Sequence, residues 1–103
     1  MAVTKTLELR RLEAKAGQAA GLLKLLANER RLMILCELAS GEASVGQLAK
    51  KANLGQSALS QHLAKMRDEK LVATRRDAQT IFYRIADPRA ARLLSALKDI
   101  FCP

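Results

Sequence analysis

One segment of the chain, residues 44–85, constrains the fold more than any other and reads SVGQLAKKANLGQSALSQHLAKMRDEKLVATRRDAQTIFYRI. Ser44 followed by Gln47 is typical of a capping box, which begins a helix by satisfying its first backbone amides. The run Asn53-Leu54-Gly55 supplies residues that favour a turn. A second helix is expected from about residue 56 to 70. The segment therefore predicts two short helices joined by a tight turn.

A β-hairpin is expected directly after the second helix. Residues 71–76 and 80–86 are short runs with β propensity, and Asp77-Ala78-Gln79 lies between them. Two such runs around a short polar connection are typical of antiparallel strands.

Helices are also expected on both sides of this segment. From about residue 6 to 27, apolar residues recur at spacings of three and four, which predicts an amphipathic helix with a coiled-coil-like seam. The residues of this seam are Leu12, Ala16, Ala19, Leu23 and Leu26.

A further helix precedes the capping box, and another ends the chain. Asn28 can cap the former, and Gly41 can end it. Its expected buried stripe consists of Leu32, Leu35, Cys36 and Ala39. Asp87-Pro88 starts the last helix, which carries Leu94, Leu97 and Phe101 on one face.

The predicted fold class is mainly α with a small β-hairpin, in the order helix, helix, helix, helix, hairpin, helix. A chain of 103 residues is expected to form a single domain. Since a domain this small leaves apolar surface uncovered, the leucine-rich end helices predict a homodimer.

The charge balance favours an anionic partner. Eighteen Lys and Arg residues against ten Asp and Glu give a formal charge of +8, and compact basic domains most often bind nucleic acid. With no tryptophan, one tyrosine and two phenylalanines, stacking on single strands is disfavoured. Double-stranded DNA is the expected partner.

No membrane partner is expected. No run reaches the roughly 18 apolar residues that a spanning helix needs, and Lys5, Glu8 and Arg10 replace the apolar core of a signal peptide. A cytoplasmic location is therefore predicted, where two cysteines are expected to be reduced or reactive rather than permanently bridged.

The second helix of the segment has a surface suited to a DNA groove. At 100° per residue, Leu59, Leu63 and Met66 face the core, and the opposite side carries short hydroxyl and amide groups that can donate to and accept from base edges. The alternative is an ordinary solvated polar face. The candidate DNA-binding residues are Gln56, Ser57, Ser60, Gln61 and Lys65 on the helix, with Arg75, Arg76 and Gln79 in the hairpin.

These residues resemble the ArsR/SmtB family of winged-helix repressors over almost the whole chain. The resemblance is carried by LANERRLMIL at 26–35, by residues 44–72 and by RRDAQTIFYRI at 75–85. It implies a winged helix-turn-helix homodimer without enzymatic activity, which binds an inverted-repeat operator and is released by an inducer.

The metal sites of the family do not carry over to this chain. Where arsenic- and cadmium-type members have a Cys-x-Cys pair, this sequence has Ser44 and Gly46. Zinc- and nickel-type members use histidines and acids of the last helix, which here offers only Asp99. With His62 as the one histidine, ligands for a first-row metal are too few. No metal and no cofactor are predicted.

The two cysteines, Cys36 and Cys102, resemble those of the sulfide- and persulfide-responsive branch of the family, the SqrR/BigR-type regulators. The C-terminal LLSALKDIFCP is also similar to that branch. The resemblance implies that reactive sulfur species link the two thiols through a disulfide or polysulfide and so weaken DNA binding.

Other functions remain open at this point. Cys36 alone would pass for an ordinary core cysteine. The pair would also suit a general peroxide or disulfide-stress sensor, or a repressor that binds a thiophilic heavy metal. A thiol oxidoreductase is disfavoured because the chain has no Cys-x-x-Cys motif. An interaction module without DNA binding would not need the polar helix face.

Overall fold

We describe residues 6–102 of a computed structural model of the chain. Within this range six helices and three strands follow one another. Their bounds are α1 Thr6–Ala14, α2 Ala16–Leu26, α3 Glu29–Ala39, β1 Ala43–Ser44, α4 Val45–Ala52, α5 Gln56–Asp68, β2 Val72–Asp77, β3 Thr80–Ile85 and α6 Pro88–Phe101. The predicted class, mainly helical with a small β-hairpin, is confirmed.

The local signals for helix starts act as expected. The Asn28 side chain accepts hydrogen bonds from the backbone N–H groups of Arg30 and Arg31 at 3.0 and 3.1 Å. Ser44 Oγ accepts from the Gln47 amide at 3.2 Å, and Gln47 Oε1 accepts from the Ser44 amide at 2.8 Å, so the capping box is complete. Asp87 caps α6 ahead of Pro88.

The N-terminal helix is not continuous, contrary to the prediction. Lys15 has φ −112° and ψ 13°, and its amide donates to the Leu12 carbonyl, one residue nearer than in an α-helix. This tightened turn separates α1 from α2. The predicted seam is divided between core and surface, since Leu26 is buried while Leu12 and Leu23 are 56% and 54% exposed.

The buried face of α3 also differs from the prediction. Ile34, Leu35 and Leu38 are buried, whereas Cys36 and Ala39 are exposed. The buried stripe is shifted because α3 packs on α4, on β3 and on α6. These three contacts cover the face of α3 that carries Ile34, Leu35 and Leu38. Cys36 is therefore not a core cysteine.

The sheet has one strand more than predicted. The hairpin of β2 and β3 pairs from Val72 with Ile85 to Asp77 with Thr80. The two-residue strand β1 pairs antiparallel with the other edge of β3, with Ala43 opposite Tyr83, giving the order β1-β3-β2. A strand this short has no recognisable period and forms only because the edge of β3 accepts it.

The core lies where the helices meet the base of the hairpin. Its buried apolar side chains are Leu22, Leu26, Ile34, Leu35, Leu38, Leu48, Ala52, Leu59, Leu63, Met66, Leu71, Val72, Ala90 and Leu94. No described residue with a polar or charged side chain is buried. Among residues 6–102 the core is therefore built from apolar side chains.

Candidate DNA interface and cysteine groove

Packing of α5 fixes which side of this helix faces outward. Leu59, Leu63 and Met66 are 0–1% exposed, as predicted, and anchor one side of the helix in the core. The candidate residues of α5 all lie exposed on the remaining surface: Gln56, Ser57, Ser60, Gln61 and Lys65. Their hydroxyl, amide and ammonium groups are thus available to base edges and phosphates.

The turn before α5 sets how this helix meets α4. Asn53 ends α4 in the left-handed conformation, at φ 53° and ψ 46°, which asparagine tolerates better than most residues. Gly55 precedes α5 in an extended conformation. Leu48 and Ala52 of α4 are buried, so the two helices form a packed helix-turn-helix unit.

The hairpin of β2 and β3, hereafter the wing, projects beyond this unit. Its strands are joined through Ala78, at φ 56°, and Gln79. Arg76 lies opposite Ile81, one position before the last strand pair, and both Arg76 and Gln79 are exposed. The wing tip therefore presents a cation and an amide.

Arg75 is engaged within the protein. Its Nε donates to Glu42 Oε2 at 3.0 Å and its Nη2 donates to Glu42 Oε1 at 2.9 Å. The guanidinium also lies 4.8 Å from the centroid of the Phe82 ring. Hydrogen bonding to Arg75 lowers the pKa of the Glu42 carboxyl, and the same contact raises the pKa of Arg75.

The ion pair with Glu42 was not foreseen from the sequence. Glu42 lies 33 positions from Arg75, in the short connection after α3, and no local pattern distinguishes it from a solvated acid. Only the pairing of β1 with β3 brings that connection to the wing.

Both cysteines line one groove, with Cys36 on α3 and Cys102 at the end of α6. The groove has a volume of about 1060 Å³. Its lining residues are Leu32, Cys36, Leu38, Ala39, Ser40, Gly41, Glu42, Arg84, Ile85, Ala91, Leu94, Ser95, Leu97, Lys98, Phe101 and Cys102. The predicted face of Leu94, Leu97 and Phe101 thus forms a wall, although Phe101 itself is 75% exposed.

The groove alters the acidity of Cys36. Partial burial by the groove walls raises the pKa of its thiol, and the negative charge of Glu37 and the neighbouring Cys102 raise it further. The raised pKa disfavours the thiolate, which is the nucleophilic form of cysteine.

The described residues offer neither a metal site nor a membrane-spanning helix. Among residues 6–102, no cluster of three or more His, Cys, Asp or Glu side chains is arranged to hold a metal ion. None of the helices in the described part of the chain is both long and apolar enough to cross a membrane.

Comparison with known proteins identifies the family. Residues 28–74 match the model of the bacterial regulatory protein, arsR family. The chain is 50% identical to the biofilm growth-associated repressor of Agrobacterium fabrum, over 88% of this chain and 78% of that protein. It is 45% identical to the transcriptional activator HlyU of Vibrio cholerae, over 93% and 89% of the two chains.

Solved structures show the same fold. The transcriptional repressor BigR of Xylella fastidiosa superposes with a TM-score of 0.87 at 44% identity, covering 91% of this chain and 96% of that one. Reduced HlyU from Vibrio cholerae N16961 gives 0.84 at 45% identity, covering 91% and 99%. With the helix-turn-helix unit and the wing in place, these matches show that the chain belongs to the ArsR family of winged-helix repressors and is a DNA-binding transcriptional regulator, not an enzyme.

Proposed function

We propose that this regulator represses transcription from an operator in duplex DNA and that a Cys36–Cys102 dithiol switches it by sensing reactive sulfur species. The observation that carries the sensing proposal is the shared groove, which both cysteines line from different helices. These residues are separated by 66 positions in the chain, so the fold alone accounts for their meeting.

In the proposed complex α5 lies in the major groove and the wing follows the neighbouring backbone. The contacts to bases and phosphates come from the exposed surface of α5 and the wing tip: Gln56, Ser57, Ser60, Gln61, Lys65, Arg76 and Gln79. A homodimer would present two such surfaces to an inverted repeat. Exposed leucines on the end helices, including Leu12 and Leu23, support this assembly.

The proposed switching chemistry begins with sulfur transfer. One thiol attacks the terminal sulfur of a low-molecular-weight persulfide, RSSH, which gives Cys–SSH and releases RSH. The other thiol then attacks the inner sulfur of that Cys–SSH, which forms the disulfide and expels H₂S. Where both cysteines carry an added sulfur, their condensation gives a trisulfide and H₂S. In each case the sulfane sulfur that leaves is the oxidant.

The bridge would act by joining α3 to α6. Coupling between two sites is typically about 1–3 kcal/mol, so a cross-link that strains the DNA-binding geometry by this amount would be enough to switch the protein. A relaxed disulfide needs Cα atoms about 4.4–6.8 Å apart, and extra sulfurs would span a wider gap.

Serine variants test the dithiol directly. Cys36→Ser and Cys102→Ser should each bind operator DNA as the reduced wild type does, and neither should be released by glutathione persulfide. Fluorescence anisotropy with a labelled operator measures both properties. A single-cysteine variant that still responds would refute the dithiol switch.

The inducer class is decided by mass spectrometry of the intact protein. Treatment with glutathione persulfide should add a disulfide or trisulfide link between Cys36 and Cys102, and equimolar hydrogen peroxide should leave both thiols free. Equal cross-linking by the two reagents would favour a general redox sensor. The relative from Vibrio cholerae is described in a reduced form, which supports thiol chemistry as the variable to test.

A further inference from the structure

The wing is attached to the body of the protein through Arg75. Its guanidinium makes a two-pronged contact with the Glu42 carboxylate and also lies over Phe82. Such fork-like contacts fix direction as well as distance, and the aromatic face adds a cation–π attraction. The two side chains remain 47% and 33% exposed, and exposed ion pairs add little to folding stability. We therefore expect this pair to contribute mainly to the orientation of the wing rather than to folding stability.

Glu42 lies where a movement of α3 would reach the wing. It stands between Gly41, which follows the end of α3 at φ 139°, and β1, which pairs with β3. The connection is thereby held to β3 by backbone pairing and to β2 by the ion pair.

The same residue also belongs to the cysteine groove. Glu42 lines the groove together with Gly41 and Arg84, and Cys36 lies on the helix that leads into this wall. One residue therefore lines the groove that contains the thiols and pairs with β2, the strand that carries Arg76.

We propose that the Glu42–Arg75 pair is a clamp that holds the wing in its DNA-binding orientation and transmits the state of the cysteine groove to it. Arg75 is then a positioning residue rather than a phosphate contact. The proposal rests on the proposed role of the wing in operator binding.

Removing the Glu42 carboxylate distinguishes a phosphate-binding Arg75 from a positioning Arg75, because the two roles predict opposite changes in operator affinity. If Arg75 bound phosphate, Glu42→Gln would strengthen operator binding, because it frees the guanidinium and deletes a negative charge near DNA. The clamp predicts a loss of about fivefold, the most that an exposed pair commonly contributes. Glu37→Gln is the matched control, since Glu37 pairs with Lys51 rather than with the wing. Stronger binding by Glu42→Gln than by this control would overturn the clamp.

The salt dependence of operator affinity is a second measurement. Its slope reports the number of phosphate contacts, so a change that only misorients the wing leaves the slope unaltered. Loss of one phosphate contact reduces the log–log slope by about 0.9. We expect Arg75→Ala to weaken binding at an unchanged slope and Arg76→Ala to lower the slope. A lower slope for Arg75→Ala would overturn the positioning role.

A charge exchange tests the pair as a unit. The double variant Glu42→Arg with Arg75→Glu should regain most of the affinity that either single change loses, because an ion pair is restored. A phosphate-binding Arg75 predicts the reverse, since the exchange places a carboxylate on the wing. Binding weaker than both single variants would refute the clamp.

Transmission is tested by comparing reduced and cross-linked protein. The affinity ratio between these forms should fall at least severalfold in Glu42→Gln relative to Glu29→Gln, a control on α3, and an unchanged ratio would refute transmission. Arg76→Ala tests separately whether the wing contacts DNA at all. If Arg76→Ala kept wild-type operator affinity and salt slope, the wing would not contact DNA. That result would refute the role of the wing in the proposed function, and the clamp proposal would fail for that reason.

Discussion

The reactivity of Cys36 is set by residues on three sides of its thiol. Partial burial in the groove, the charge of Glu37 and the charge of Cys102 each raise the pKa of this thiol. All three disfavour the thiolate, which is the nucleophilic form of cysteine. Exposure alone would suggest a more reactive thiol.

Substitution of Glu37 should make Cys36 more reactive. In a Cys102→Ser background, where Cys36 is the one remaining thiol in the chain, Glu37→Gln should accelerate alkylation by iodoacetamide between pH 7 and pH 9, because loss of the carboxylate lowers the pKa of Cys36. The measurement is the rate against pH. Glu29→Gln on the same helix is the control, and equal rates in the two variants would contradict the electrostatic cause.

At the scale of elements, the capping box of α4 supports the helix-turn-helix unit. Ser44 also belongs to β1, so one residue begins the helix and pairs with the wing. Ser44→Ala should lower the free energy of unfolding by about 1 kcal/mol, since an N-terminal amide of the helix loses its acceptor. Urea denaturation measures this change. Ser60→Ala, at an exposed position in the middle of α5, should cost much less, and an equal loss would argue against the cap.

The start of α6 should give the protein a pH-dependent stability. Hydrogen bonds from the Arg89 guanidinium, at 2.8 and 3.1 Å, are the main reason that the pKa of Asp87 is lowered from 3.8. A lowered carboxyl pKa stabilises the fold at pH values above 3.8, and that contribution disappears as the pH falls through the lowered value.

Asp87→Asn isolates this contribution, because the amide oxygen still caps the helix but carries no charge. The variant should be less stable than wild type by up to about 1 kcal/mol at pH 6. The difference should vanish as the pH approaches 2. Denaturation curves at several pH values measure it, and a difference independent of pH would contradict the linkage.

At the scale of the whole molecule, apolar surface remains uncovered on the end helices. Leu7, Leu9, Leu12 and Leu23 are exposed near one end of the chain, as are Ile100 and Phe101 near the other. A protein of this size rarely leaves so many large apolar residues in water. Regulators of the ArsR family typically act as dimers, and these residues are the proposed contact.

A charge on this surface should separate the subunits. Leu23→Glu should shift the mass in solution from dimer to monomer and weaken operator binding at least tenfold, because one subunit reaches only half of an inverted repeat. Light scattering after size exclusion measures the mass. Ile81→Glu, which places the same charge at an exposed wing position, should remain dimeric, and a dimeric Leu23→Glu would exclude this residue from the interface.

The sequence by itself determined the elements whose signals are local. Asn28, Ser44 and Asp87 cap helices where their side chains reach amides two or three residues ahead, and the spacing of Leu59, Leu63 and Met66 fixed the outward face of α5. These outcomes depend on neighbours within about one helical turn, which are visible in the order of residues.

The tertiary structure alone decided the features that depend on distant residues. It turned Cys36 out of the core and added β1 to the edge of β3. It also brought Glu42 to Arg75 and placed Cys36 in one groove with Cys102. Such contacts leave no periodic trace in the sequence, because they arise only when separate elements pack together and each selects the face that the other covers.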